Sequence, residues 1–337
     1  MRLLALMVFL LLLLPLSGQE RAYQIRTVAF YNLENLFDTH NDTLNRDDDR
    51  TPAGADRWSE PRLERKLENL SRALADIGKE RNAAPPDLIG LCEVENREVL
   101  ERLIGQPKLR SWTYGIIHHD SPDPRGIDVA LLYRKGRFFP LHERSIRLIL
   151  HDAGGNRKYT RDQLVVTGLL DREEVHILVN HWPSRGGPAL QTRIYRKEAA
   201  LLQRSLIDSL LYRYPGAKII SMGDYNDNPT DPSMKILTEG KSPETTLHNP
   251  MRMLFKRGEG SLAYRDRWNL FDQILFSHAW LDPSPGSLRL WKAGIFQPAY
   301  LKTRQGRYRG YPLRTYAGGR YQGGYSDHFP VYAYLIR

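Results

Sequence analysis

The chain has 337 residues, of which 41% are hydrophobic and 26% are charged. This is the composition of a globular protein, and it excludes an intrinsically disordered or fibrous chain. A single cysteine, Cys92, excludes an intrachain disulfide, while 49 Lys and Arg against 39 Asp and Glu give a formal charge of +10, which favours polyanions as partners without identifying one.

Residues 1–18 have the pattern of a secretory signal peptide. Arg2 is followed by an uninterrupted apolar run from Leu3 to Leu14, which is too short to span a bilayer. An uncleaved membrane anchor is the alternative. We expect cleavage after the apolar run, a secreted or periplasmic protein with no remaining transmembrane span, and a single domain over residues 19–337.

Hydrophobic periodicity predicts many strands interspersed with a few helices. The predicted strands cover residues 25–30, 88–91, 112–117, 127–133, 144–150, 164–170, 175–179, 218–222, 270–276 and 329–336. The predicted helices run from Ser59 to Gly78, over residues 96–104 and 188–212, and from Asp231-Pro232. A polar loop covers residues 42–54, and its acidic run, residues 47–49, is expected to be solvated, with cation binding as the alternative. No repeat or linker divides the chain, so we expect packed sheets with helices outside.

Six clusters of polar residues adjoin the ends of predicted strands. They are Asn32–Asn35, Glu93–Glu95, Asn180–Trp182, Asp224–Asn226, Asp272 and Ser326–His328. Ordinary turn chemistry is the alternative explanation for each cluster by itself, because Asp and Asn readily bond their own backbone. Turns at one end of a sheet assemble into one cleft, so six such coincidences predict a single functional site.

Asp272 lies among the apolar residues of a predicted strand. A buried carboxylate costs several kcal/mol unless it is paired, so Asp272 needs a partner. His328 is the predicted partner. Pairing with Arg265 or Arg267 is the alternative, since arginine is the usual partner of a buried acid.

The combination of carboxylates, amides and histidines predicts a particular chemistry. The sequence contains no His-Glu-x-x-His, no cysteine pair for zinc, no Gly-x-Ser-x-Gly and no phosphate-binding Gly-rich loop followed by Lys. Carboxylate and amide oxygens suit a hard divalent ion, Mg²⁺ or Mn²⁺ in its place. Such an ion stabilises charge on a phosphoryl group, and a histidine backed by an aspartate activates water, so we expect phosphoester hydrolysis.

A basic segment, residues 289–320, carries arginines and lysines interleaved with tyrosines. Cations that neutralise phosphates and rings on which bases stack are typical of a nucleic-acid groove. A solvated basic face is the alternative.

The order and content of these motifs resemble the endonuclease/exonuclease/phosphatase superfamily, whose fold is shared by pancreatic-type deoxyribonuclease, neutral sphingomyelinases and inositol-polyphosphate phosphatases. The resemblance is carried by residues 31–38 (Tyr-Asn-Leu-Glu-Asn-Leu-Phe-Asp), 125–128 (Arg-Gly-Ile-Asp), 223–226 (Gly-Asp-Tyr-Asn) and 323–328 (Gly-Gly-Tyr-Ser-Asp-His), together with the other clusters. These details are most similar to a secreted bacterial branch. The resemblance implies an α/β (α+β) four-layer sandwich of two packed mixed β-sheets flanked by helices.

The resemblance also implies roles for individual residues. The implied metal ligands are Asn32, Glu93 and Asp327. The implied catalytic residues are His181, Asp224, Asn226, Asp272 and His328, with His328 as general base or transition-state donor. The implied substrate-binding residues are Arg125, Asn180 and Asn226.

We therefore expect a secreted, Mg²⁺-dependent phosphodiesterase, a monomer that hydrolyses DNA or RNA. Phospholipid hydrolysis of the sphingomyelinase type and inositol-phosphate hydrolysis are the alternatives, because fold does not determine substrate. A non-catalytic polyanion-binding protein is the competing class, although none of the implied catalytic residues is missing.

Overall fold

The computed structural model describes residues 23–337, and the predicted signal peptide lies outside them. The strands are β1 (Ile25–Leu36), β2 (Leu88–Val94), β3 (Tyr114–His118), β4 (Asp128–Arg134), β5 (Phe138–Ile146), β6 (Leu150–His151), β7 (Arg157–Lys158), β8 (Gln163–Leu170), β9 (Glu173–His181), β10 (Lys218–Asp224), β11 (Leu262–Tyr264), β12 (Arg267–Asn269), β13 (Asp272–Phe276), β14 (Arg289–Ile295), β15 (Tyr316–Ala317), β16 (Arg320–Tyr321) and β17 (Val331–Ile336). The α-helices are α1 (Glu60–Asp76), α2 (Arg97–Gly105), α3 (Ala189–Arg213), α4 (Pro232–Thr238) and α5 (Met251–Lys256). Within residues 23–337 no helix has the length and apolar character needed to cross a membrane.

Two large mixed sheets organise the molecule. The first has six strands in the order β14-β17-β1-β2-β4-β3, and only its β1–β2 pair is parallel. The second has five strands in the order β13-β10-β9-β8-β5, and only its β9–β10 pair is parallel. Each sheet therefore has two neighbouring strands whose carboxyl ends meet at one edge.

Side chains that alternate along the strands form three hydrophobic clusters. One lies between the two sheets, and one lies between each sheet and the helices that cover it. On β1, Val28 and Phe30 lie in the cluster shared by the two sheets, whereas Ala29 and Tyr31 lie in the cluster that packs under α1 and α2. On β10, Ile220 lies in the shared cluster and Ile219 packs under α3 and α4. The period of two along each strand thus covers both faces of both sheets, and the predicted four-layer sandwich is confirmed.

Local patterns fix several boundaries. The turn between β8 and β9 is a tight hairpin in which Asp171 and Arg172 have φ of 49° and 75°, as a two-residue turn between twisted strands requires. The strand predicted over residues 144–150 is displaced, because the structure has β5 at Phe138–Ile146. β5 is an edge strand with mostly exposed side chains, so it lacks the alternation on which the prediction depended.

Candidate active site

The topology brings all six polar clusters to one end of the two sheets. Asp224, the last residue of β10, pairs with His181 at the end of parallel β9 and with Asp272 at the start of antiparallel β13. In the other sheet, β1 and β2 end in the same direction, and antiparallel β17 begins beside the end of β1, which places His328 there. Residues far apart in the sequence therefore share one cleft.

Backbone irregularities re-aim the side chains at the ends of β1 and β2. The pairing shifts register between Asn32 and Leu36 and again at Glu93. Here Glu34, Asn35 and Glu93 have φ of 50°, 55° and 60°, a conformation that costs a non-glycine residue about 1–2 kcal/mol. Bulges and strained residues of this kind concentrate at functional sites. The backbone N–H of Asn35 donates to Oε2 of Glu93 at 2.9 Å, which holds that carboxylate in place.

The contact predicted between Asp272 and His328 is present. Nδ1 of His328 lies 2.6 Å from Oδ2 of Asp272, and the Ser261 hydroxyl donates to the same oxygen at 2.5 Å. Asp272 is fully buried, and its Oδ1 has no hydrogen-bond partner among the described residues. Neither Arg265 nor Arg267 forms an ion pair with Asp272 in the described part of the chain. The histidine is therefore the partner that compensates the buried charge.

Asp224 lies close to site residues from both sheets. Its Oδ2 accepts a hydrogen bond from Nδ2 of Asn32 at 3.1 Å, and its Oδ1 accepts one from the backbone N–H of Asn226 at 2.9 Å. Nε2 of His181 and Nε2 of His328 lie 3.8 and 3.9 Å from its Oδ2. Burial raises the pKa of Asp224 to about 7, so this carboxyl can hold or release a proton near neutral pH.

The two histidines of the cleft differ in charge. Burial opposes protonation of His328, but the carboxylates of Asp272, Asp327 and Asp224 outweigh it and raise its pKa well above the ordinary value. Burial, and then the positive charge of Arg161, holds the pKa of His181 well below the ordinary value. The cleft thus combines a cationic imidazole with a neutral one, a pairing that suits acid–base work on a phosphoryl group.

Oxygen ligands for a divalent ion converge beside these groups. Oε1 of Glu93 lies 3.9 Å from Nε2 of His181, and Oδ1 of Asp327 lies 3.9 Å from Nε2 of His328. The carboxylates of Glu34, Glu93 and Asp327 each act to raise the pKa of the same buried ammonium group, that of Lys66. Carboxylates together with the Asn32 amide form the hard oxygen set that Mg²⁺ or Mn²⁺ prefers, so the residues fit the implied ion.

Two basic residues of the site were not predicted. Lys66 is buried; its ammonium donates to the carbonyl of Tyr325 at 2.8 Å and to the carbonyl of Glu34 at 3.2 Å. Arg314 donates to Oε1 of Glu34 at 3.2 Å and to Oδ2 of Asp327 at 2.9 Å. One signal for Lys66 was available, because it falls three residues after Leu63 on the apolar face of α1.

A buried arginine, Arg161, holds the end of β9 in place beside the cleft. Arg161 donates to the carbonyls of His181 and Trp182 at 3.2 and 2.7 Å and to Oδ2 of Asp123 at 2.8 Å. Arg125, a predicted substrate-binding residue, lies on the same network with its Nε 3.5 Å from Oδ1 of Asp123 and a half-exposed side chain. Arg125 is therefore linked through Asp123 to the arginine that contacts the end of β9.

The predicted position of Asn180 needs a correction. Its neighbour His181 shares a face of β9 with Ile177 and Val179, which line the core between the sheets, so Asn180 points to the opposite face. Asn180 is fully buried and its amide donates to the carbonyl of Met222. It lies away from the cleft and cannot contact substrate there. Asn226 remains at the cleft, where its amide donates to the carbonyl of Trp182 at 3.0 Å.

The comparisons with known proteins agree with this geometry. The model described as the Endonuclease/Exonuclease/phosphatase family matches residues 27–337 of the chain. No curated protein sequence matches this chain.

Solved structures share the fold at low sequence identity. D. rerio TDP2 in complex with a single-strand DNA product has a TM-score of 0.55 and 15% identity, with 93% of this chain and 99% of that chain covered. TDP2 from C. elegans has a TM-score of 0.56 and 16% identity, with 93% of this chain and 75% of that chain covered. Mannosyl-6-phosphatase from Bacteroides thetaiotaomicron has a TM-score of 0.55 and 17% identity, with 93% of this chain and 100% of that chain covered. The chain therefore belongs to the endonuclease/exonuclease/phosphatase family of phosphoester hydrolases.

Proposed function

We propose that this protein is a secreted, divalent-metal-dependent phosphodiesterase, a nuclease that hydrolyses DNA or RNA by attack of water on a phosphodiester. The observation that carries the proposal is the contact of Nδ1 of His328 with Asp272 at 2.6 Å, beside a second buried carboxyl at Asp224. This arrangement leaves Nε2 of His328 free to exchange a proton with water or with the substrate phosphate.

The other residues of the cleft have separate roles. Asp224, whose pKa burial raises to about 7, takes part in proton transfer. His181 and Asn226 donate to the non-bridging oxygens of the phosphate, and Arg125 binds the phosphate from the rim. Asn32, Glu93 and Asp327 hold the divalent ion, Mg²⁺ or Mn²⁺, which supplies stabilisation of the negative charge that develops on the phosphoryl group.

The basic charge of the chain supports a polymeric polyanion as substrate. The formal charge is +10, and lysine and arginine contacts to phosphates supply most of the sequence-independent affinity for nucleic acid. D. rerio TDP2, which shares the fold, is described in complex with a single-strand DNA product.

Fewer tyrosine rings of residues 289–320 are available for stacking on nucleic-acid bases than the sequence suggested. Tyr300 donates to Asp76 at 2.9 Å, and Tyr311 donates to Asp266 at 2.6 Å. Tyr316 likewise donates to a backbone carbonyl, whereas Tyr308 is 52% exposed. Most of these rings therefore stabilise the fold, and stacking on a base is left to Tyr308.

The second candidate is a small phosphoester, either an inositol phosphate or a phospholipid headgroup. Two observations favour it, namely the engagement of most tyrosine rings in packing and the fold shared with a mannosyl-6-phosphatase. Both candidates use the same catalytic residues, so only a substrate screen separates them.

The test is a metal-supplemented screen of plasmid DNA, RNA, sphingomyelin, inositol phosphates and mannose 6-phosphate. We expect the purified protein to nick plasmid or degrade RNA with Mg²⁺, to stop on addition of chelator, and to lose turnover in His328→Ala. His278→Ala is the matched control, because His278 is exposed and lies outside the cleft. Hydrolysis of the small esters alone would favour the second candidate, and unchanged turnover by His328→Ala would refute the site. Secretion is tested separately by the amino terminus of the mature protein, which we expect near Gln19.

A further inference from the structure

The outward side of α3 carries exposed apolar side chains. Leu190, Ile194 and Leu201 are 74%, 43% and 43% exposed. Their spacing of four and seven residues places them on one side of the helix. The opposite side, with Tyr195 and Ala199, packs against the five-stranded sheet. A helix on the surface of a globular protein ordinarily has a polar outer side, so a row of exposed apolar side chains indicates an interaction surface.

Two unpaired cations lie among these apolar side chains. Arg193 and Lys197 are exposed, and neither forms an ion pair in the part of the chain that the structure describes. Glu198 is the only acid in residues 189–201 of the sequence. We call the set of five exposed side chains the α3 face: Leu190, Arg193, Ile194, Lys197 and Leu201.

A groove of about 530 Å³ between α3 and α4 borders the α3 face. Two acids line this groove, Asp227 and Asp231, and both are already paired with an arginine. Nη2 of Arg185 lies 2.9 Å from Oδ1 of Asp227 and 2.6 Å from Oδ2 of Asp231. The positive charge of the α3 face is therefore not compensated by its neighbours in the groove.

The α3 face adjoins the catalytic end of the five-stranded sheet. Residues 182–188 connect His181, the last residue of β9, to the start of α3. Arg185, in that connection, donates to the carbonyl of Asn226 at 2.8 Å. A partner bound to the α3 face would therefore lie beside residues of the cleft.

We propose that the α3 face binds the surface of an anionic phospholipid bilayer. Apolar side chains of such a helix enter the boundary between headgroups and acyl chains, while lysine and arginine beside them attract negatively charged headgroups. The α3 face offers both components within about three helical turns. Binding to a bilayer does not depend on which phosphoester the cleft hydrolyses.

Two other partners fit the α3 face less well. Nucleic acid would meet Leu190, Ile194 and Leu201, which offer it neither hydrogen bonds nor aromatic rings for stacking. A second copy of this chain would bring the same unpaired cations together, which like-charge repulsion opposes. The combination of apolar side chains and free positive charge therefore favours a lipid surface.

Co-sedimentation with vesicles tests the proposal. The vesicles contain phosphatidylcholine alone or phosphatidylcholine and phosphatidylglycerol in equal parts, and chelator is present so that metal-dependent hydrolysis does not consume the lipid. We expect the parent to bind the mixed vesicles at least about tenfold more tightly than the neutral ones. Leu190→Gln combined with Ile194→Gln should weaken binding to the mixed vesicles by about tenfold or more, and so should Arg193→Gln combined with Lys197→Gln.

Two matched controls place the same kinds of change elsewhere. Lys108→Gln combined with Arg110→Gln removes two exposed cations from the segment after α2, which covers the other sheet. Leu44→Gln removes an apolar side chain that is 90% exposed. Both controls should bind the mixed vesicles as the parent does. All variants should also unfold at the temperature of the parent, because every substituted side chain is exposed. Parent and variants share one amino terminus, so any lipid affinity of that segment cancels.

A fluorescent label reports directly whether the α3 face enters lipid. Cys92 is the single cysteine and is buried, so a polarity-sensitive dye reacts with a cysteine introduced at an exposed position. With mixed vesicles the emission of the dye on Leu190→Cys should shift to the blue, whereas that of the dye on Leu44→Cys should not.

Several outcomes would overturn the proposal. They are no binding of the parent to mixed vesicles, equal binding to neutral vesicles, an equal loss of binding in the control variants, and an unshifted label on Leu190→Cys. A dimer of the parent that Leu190→Gln combined with Ile194→Gln dissociates would instead assign the α3 face to a second copy. Loss of oligonucleotide binding in that variant, with vesicle binding retained, would assign it to nucleic acid.

Discussion

Nδ1 of His328 lies 2.6 Å from Oδ2 of Asp272, although Asp272 begins β13 of the five-stranded sheet and His328 lies just before β17 of the six-stranded sheet. The contact fixes the orientation of the imidazole, so that Nε2 faces Asp224 and Asp327 at 3.9 Å from each. A carboxylate that holds a histidine in this way determines both its tautomer and its charge. Asp272 is therefore a positioning residue whose effect should be visible through His328.

Asp272→Asn should lower kcat by about two to four orders of magnitude, the usual contribution of an oriented acid–base group. The amide keeps the size of the side chain but no longer stabilises the imidazolium. Steady-state kinetics on the best substrate of the screen measure the loss. Ser261→Ala, which removes only the neighbouring hydroxyl, should have a much smaller effect. A kcat for Asp272→Asn equal to that of the parent would contradict the pairing's role.

The same substitution should displace the pH profile. In the parent, Asp272 and the other carboxylates raise the pKa of His328 against the opposing effect of burial. Without Asp272 the pKa falls, so the limb of the pH–rate curve that reports His328 should move to lower pH. If His328 acts as a general base, the parent loses activity as pH falls through that limb. If it acts as a donor, the parent loses activity as pH rises through it. A limb that stays in place in Asp272→Asn would show that another group controls the profile.

Glu93→Gln should raise the Mg²⁺ concentration needed for half-maximal activity by about tenfold or more. The substitution keeps the hydrogen bond from the Asn35 N–H but removes the charge that attracts the ion. Activity of chelator-treated enzyme across a Mg²⁺ titration measures the change. Glu98→Gln, at an exposed position on α2, is the control. Equal Mg²⁺ dependence in Glu93→Gln and the control would exclude Glu93 as a ligand.

The sequence predicted the cleft because its residues adjoin strand ends. Asp224 and His181 each lie two residues after the end of a predicted strand, so the position of each strand also locates its polar residue. The partner of Asp272 was predictable from the cost of burying a charge. Inferences of this kind need only local sequence and one rule about strand ends.

Other features depend on contacts that no local pattern encodes. The ammonium of Lys66 on α1 donates to the carbonyl of Tyr325, which is 259 residues away in the sequence. Arg314, in a long irregular loop, donates to Glu34 and Asp327. The face on which Asn180 lies depends on the exact register of β9, and a shift by one residue would have reversed it. Long-range pairing and register therefore limit what the sequence alone can predict here.

Gly223→Ala should destabilise the protein by about 1–3 kcal/mol, the usual cost of overpacking. A Cβ at this position would lie 2.5 Å from the backbone oxygen of Asn180 on the neighbouring strand. The strands must separate to admit it, which also moves Asp224 away from His181 and should lower kcat. Urea denaturation and kinetics measure both effects. Gly105→Ala, where nothing lies within 4 Å of the new methyl group, is the control. Equal stability of the two variants would show that β9 and β10 tolerate the separation.

Lys66→Met should reveal the cost of a buried ammonium group through its pH dependence. Burial lowers the pKa of Lys66 from 10.5 to about 8, although Glu34 and Asp327 favour its charge. Below pH 8 both the folded and the unfolded states carry the proton, and the folded state bears the full desolvation penalty. Between pH 8 and 10.5 the unfolded state binds the proton more strongly than the folded state, so the free energy of unfolding of the parent should rise with pH relative to that of Lys66→Met. Urea denaturation of both proteins at pH 7 and pH 10 measures the difference, in which the titration of other groups cancels. Arg65→Met, at the neighbouring exposed position on α1, should show no such change. A constant difference between the parent and Lys66→Met across this range would mean that the contacts with Tyr325 and Glu34 already compensate the buried charge in full.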